Sequence, residues 1–117
     1  MISETKEITV NIELHRKAIT AGVTLLDQKD PGWFDRINVD RLDMLSDDQD
    51  VLRQLYPDRS TRKSIGWLGI QIRNHHGFDL LSGFGSDMDY KMLTRLWVEV
   101  VKWKRIAAGA ETPTVVY

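Results

Sequence analysis

The chain has 117 residues and a mass of 13.5 kDa, which fits one domain, taken as 1–117, and leaves no room for two. Hydrophobic residues make up 42% and charged residues 28%, with 16 Lys or Arg against 17 Asp or Glu; this balance excludes a disordered or fibrous chain and denies it the one-sided field of a general polyanion binder. Cysteine is absent, which excludes disulfides, thiolate nucleophiles and zinc-thiolate sites and leaves the core alone to hold the fold.

The opening residues Met1 to Glu7 carry Glu4, Lys6 and Glu7 and lack the apolar run of a signal peptide; no later apolar stretch approaches the ~18 residues of a membrane span. A soluble cytoplasmic protein with no membrane partner is expected. Ile8, Val10, Ile12 and Leu14 alternate with polar residues as in a half-buried strand, while Asn11 is a good N-cap for a longer helix. At 100° per residue Ile12, Ile19, Val23 and Leu26 share an arc, with Leu14, Ala18, Ala21 and Leu25 beside it. The reading is a short strand at 6–10 and a helix from about 11 to 29.

Asp30-Pro31 restarts the chain, and Trp33, Phe34 and Ile37 make a short apolar turn. Ser46 and Gln49 stand in capping-box spacing before Val51, Leu52 and Leu55, a helix that Pro57 closes. Ser60 is a cap for a segment in which Ile65, Leu68, Ile72 and His76 share a face, ending at Gly77. A strand stays open there, because Leu68, Ile70 and Ile72 also alternate and each glycine weakens a helix by ~1 kcal/mol. Residues 77–85 read as a packed loop. Ser86 and Asp89 form a second capping box opening the clearest helix, about 87 to 107, stopped by Gly109. Its apolar arc of Tyr90, Leu93, Leu96, Trp97, Val100, Val101, Trp103 and Ala107 covers half the circumference, so this helix is central. The predicted class is mainly α, a compact bundle of four to five helices. A two-stranded sheet from residues 6–10 and 114–117 is an option beside a frayed tail.

Charge is segregated. Residues 27–58 hold nine of the twelve Asp against four Lys or Arg, net −5, whereas 59–76 hold Arg59, Arg62, Lys63 and Arg73 without an acid, net +4. Caps and turns are the ordinary place for Asp; an acidic surface for a basic partner is the sharper reading. The run Asp40, Asp43, Asp47, Asp48, Asp50 lacks the glycine and glutamate of an EF-hand loop. His75 and His76 are ~100° apart on a helix and do not converge on one ion, and His15 falls in an apolar arc, where a core histidine is the plainer account. Gly83-Phe84-Gly85-Ser86 precedes a helix but has none of the flanking signals of a phosphate or dinucleotide loop. No catalytic constellation, metal or cofactor is expected.

The order of Leu25-Leu26-Asp27-Gln28-Lys29-Asp30-Pro31-Gly32-Trp33, Ile37-Asn38-Val39-Asp40-Arg41-Leu42-Asp43-Met44, Val51-Leu52-Arg53-Gln54-Leu55-Tyr56, His76-Gly77-Phe78-Asp79 and the Tyr90 to Trp97 segment resembles a family of short uncharacterised proteins of actinobacteriophages and actinobacteria. The likeness spans about 25–97. Members commonly carry a cysteine just before the Val-Leu pair and a glycine after it; Asp50 and Arg53 stand here, which removes any thiol or metal role. The resemblance implies a small cytoplasmic phage or prophage protein and supplies no mechanism.

The leading expectation is therefore an accessory protein that binds a host or phage protein and modulates a host function, with Trp33, Asp47, Asp48, Asp50 and Trp67 as candidate contacts. Reversing the three aspartates to Lys is expected to leave the fold intact. A nucleic-acid-binding accessory protein using Arg59, Arg62, Lys63, Arg73, Lys102, Lys104 and Arg105 is one alternative. A small enzyme or ligand-binding domain gathering His15, His76 and Asp79 is the other.

Overall fold

The computed structural model describes residues 12–46, 48–58, 61–69, 73–80 and 85–110. It is mainly helical: α1 Ile12–Lys29, a 3-10 turn Trp33–Arg36, α2 Val51–Leu55, α3 Thr61–Leu68, a second 3-10 turn Arg73–His76, and α4 Asp87–Ala110. Among the described residues there is no strand. The sheet between 6–10 and 114–117, and the caps Asn11 and Ser60, lie outside the described residues.

α1 buries Ala18, Ile19 and Leu26 as its periodicity requires, together with His15 and Gly22; Leu14, placed beside that arc, is 51% exposed. Beyond Lys29 the Trp33 and Asp35 amides donate to the Asp30 and Gly32 carbonyls, so the chain turns tightly and inserts Trp33, Phe34 and Ile37 into the core. α2 begins later than the Ser46-Gln49 spacing suggests. Asp50 is its N-cap, its carboxylate accepting the Arg53 amide at 2.8 Å, while Ser46 and Asp48 bond to each other. α3 stops at Leu68 instead of running to Gly77, because Gly69 has a φ of +81°, a left-handed turn no helix continues through.

The second 3-10 turn lies against α1 so closely that side chains are excluded at the contact. A Cβ on Gly22 would collide with the His76 carbonyl, and one on Gly77, at φ +77°, would sit 2.7 Å from the Ile19 Cα. α4 opens with the expected capping box: the Ser86 amide donates to Asp89 Oδ2 at 3.0 Å and the Asp89 amide to Ser86 Oγ at 3.2 Å. The helix passes through Gly109, which does not end it.

Leu93, Leu96, Trp97 and Val101 of α4 are buried, and Trp97 is the centre of the core. Trp33 meets its ring edge-on at 6.0 Å, Phe78 stacks on it at 5.6 Å, and its indole N–H donates to the Gly77 carbonyl at 2.6 Å. Trp103, assigned to the edge of the same arc, is 68% exposed, because it lies about 120° around the helix from Trp97, off the face that Leu93, Trp97 and Val101 bury. No described helix is long and apolar enough to cross a membrane.

Candidate functional site

The concavity of interest lies where the 40–45 loop meets α4, an open groove of about 610 Å³. Its helical wall is Asp87, Tyr90, Lys91, Thr94, Arg95 and Val98, residues brought into line by the three- and four-residue spacing of a helix. Its other wall is Asp40, Arg41, Leu42, Asp43 and Leu45.

That loop is held by hydrogen bonds written into its polar residues. The Asp40 amide donates to Asn38 Oδ1 at 3.0 Å and the Leu45 amide to Asp43 Oδ1 at 3.0 Å, two Asx turns in succession. Gln54 of α2 clamps the loop, its Oε1 accepting the Asn38 amide and its Nε2 donating to the Asn38 and Gln49 carbonyls. Thr94 joins loop to helix: its hydroxyl accepts the Met44 amide and donates to the Tyr90 carbonyl, both at 2.9 Å. Leu42 and Met44 point inward and are buried, so the intervening alternation leaves Leu45 outward and 49% exposed.

Six charged side chains line the groove with that leucine, three of each sign: Asp40, Asp43 and Asp87 against Arg41, Lys91 and Arg95. All six are exposed, and among the described residues none of them forms an ion pair. Three basic residues elsewhere are engaged inside the molecule. Lys104 pairs with Asp27 at 2.7 Å and lies over the Phe34 ring, Arg36 pairs with Asp30, and Arg105 donates to the Phe34 and Ile37 carbonyls. Of the basic end weighed for nucleic acid, Lys104 and Arg105 thus secure the first 3-10 turn; Lys102 is exposed. Arg59 lies outside the described residues, as does the side chain of Arg62 and of Arg73; Lys63 is exposed.

The five residues expected as partner contacts are dispersed. Trp33 is fully buried, its indole N–H donating to Asp27 Oδ1 at 2.9 Å, so it is a core residue and offers a partner no surface. Trp67 is 43% exposed, its ring edge-on to Tyr56 at 5.4 Å. Asp48 is exposed and accepts the Ser46 hydroxyl; Asp50 caps α2, so its charge reversal removes a helix cap and is not neutral; Asp47 lies outside the described residues. None of these five lines the groove. The Asp40-Arg41-Leu42-Asp43 run does; in the sequence it stood out for its acidity and as part of the segment that carries the family resemblance. The α4 wall could have been found from Asp87, Lys91 and Arg95 at four-residue spacing, a pattern that any solvated helix face shares.

His15 is buried on α1, His75 is exposed, and Asp79 is buried, accepting the Tyr90 hydroxyl at 2.9 Å and the Leu80 amide at 2.8 Å. His76 is half-buried, and among the described residues its Nδ1 has no hydrogen-bond partner. The groove includes none of His15, His76 and Asp79, and among the described residues no three His, Asp or Glu are grouped to hold a metal. Gly83 and Phe84 lie outside the described residues, and the capping box at the start of α4 takes up the Ser86 and Asp89 amides. No family model, curated protein or solved structure matches the chain.

Proposed function

We propose that this protein acts by binding another protein through the groove between the 40–45 loop and α4. One observation carries the reading: three acids and three bases line the groove with the exposed Leu45, and no ion pair among the described residues engages any of the six. Charges left unpaired around an apolar centre are what a partner needs for steering and selection at the rim and for affinity at the middle. The likeness of 25–97 to actinobacteriophage proteins sets the proposed partner as a host or phage protein met in the host cytoplasm.

The test is affinity capture from an actinobacterial lysate with the native chain, Leu45→Arg and Trp67→Arg. The reading expects a captured protein that Leu45→Arg loses and Trp67→Arg keeps. Capture lost only by Trp67→Arg, or no specific capture by the native chain, refutes it.

A further inference from the structure

Resting on that reading of the groove, we propose that the bound segment is an amphipathic α-helix bearing two acidic residues one turn apart and a basic residue one turn further on. The first argument concerns backbone groups. In the 40–45 loop the amides of Asp40, Arg41, Asp43, Met44 and Leu45 donate within the protein, to Asn38 Oδ1, the Asn38 carbonyl, the Gln49 carbonyl, Thr94 Oγ1 and Asp43 Oδ1. Beyond its first turn α4 satisfies its own. An extended peptide adds to a surface by exchanging backbone hydrogen bonds with it, and this loop has almost no donor left to offer. A helix, whose own backbone groups are already satisfied, needs no donor from the loop.

The second argument is charge complementarity. Along α4 the groove edge reads Asp87, Lys91, Arg95, one negative and two positive charges spaced by four residues, about 6 Å apart at 1.5 Å per residue. From Asp87 to Val98 this wall is about 16 Å long, three turns of a partner helix. An antiparallel helix matching it reads Glu-x-x-x-Glu-x-x-x-Lys, with its carboxylates against Arg95 and Lys91 and its ammonium against Asp87. The same spacing places glutamate four residues before lysine, the order that also supports the free helix. Its apolar stripe then rests on Leu45 and Val98. On the loop wall Asp40, Arg41 and Asp43 offer two acids and one base, so the helix carries its remaining basic residues on that side.

The test uses two fluorescein-labelled synthetic helices with the same leucine stripe, one with the Glu, Glu, Lys order and one with Lys, Lys, Glu. Their binding to the full chain is measured by anisotropy. The first should bind about tenfold more tightly, the advantage should shrink at high salt, and Lys91→Glu/Arg95→Glu should reverse it. Both substituted residues are exposed and unpaired, so circular dichroism of the double variant should be unchanged. Equal binding, binding by neither, or a preference that the double variant keeps overturns the proposal. So does a dimer seen in sedimentation that Arg95→Glu disperses, which would give the groove to a second copy. If lysate capture depends on Leu45 while the peptides are not distinguished, the groove reading stands and only the charge-matched helix falls.

Discussion

Truncating Trp97 to Ala removes the ring on which the core is centred. The side chain is fully buried, so transfer and cavity terms together cost ~3–5 kcal/mol. The Gly77 carbonyl also loses its indole donor, which adds ~1–3 kcal/mol if nothing replaces it. That total rivals the ~5–15 kcal/mol stability of an ordinary domain, so the variant should be largely unfolded or close to it. Trp97→Phe is the informative companion. A phenyl ring keeps the face that stacks on Phe78 but cannot donate to Gly77, so a loss of ~2–3 kcal/mol is expected. Urea titration followed by far-ultraviolet circular dichroism measures both. An Ala variant within ~1 kcal/mol of the native chain would refute the placement of Trp97, and equal losses for Phe and Ala would refute the division between ring and hydrogen bond.

Asp50→Ala should cost ~1 kcal/mol in the same titration through loss of the α2 cap, whereas Asp48→Lys should stay within ~0.5 kcal/mol. Thr94→Val keeps the shape but strands the Met44 amide, so ~1–2 kcal/mol is expected together with faster hydrogen exchange at Met44. Gly77→Ala forces a Cβ against the Ile19 backbone at a positive φ and should lower stability by ~2–4 kcal/mol, read as a fall in thermal midpoint.

The two long helices were legible because each repeats its apolar residues over many turns, and the Ser86 and Asp89 pair marks the start of α4 in sequence and in structure. Local rivals were harder to separate. Ser46 and Asp50 are both good caps, and the choice fell to Asp50 because Ser46 is already turned toward Asp48. Trp97 and Trp103 lie about 120° apart in helical phase, so a half-circumference arc held both; which part of that arc faces Trp33 and Phe78 from distant segments decides between them. Trp33 misled as a contact because an aromatic in a Pro-Gly turn reads the same whether the turn faces out or folds in. The groove depends on Met44 meeting Thr94 fifty residues away, a juxtaposition no local pattern encodes.

The most direct test of the groove as the binding surface is site-specific photocrosslinking. A benzophenone amino acid is placed singly at positions 45, 91 and 67, and the variants are irradiated in an actinobacterial lysate. The account predicts one common adduct from positions 45 and 91 and none from 67. An adduct from position 67 alone, or none from either groove position while the native chain still captures a partner, would contradict it.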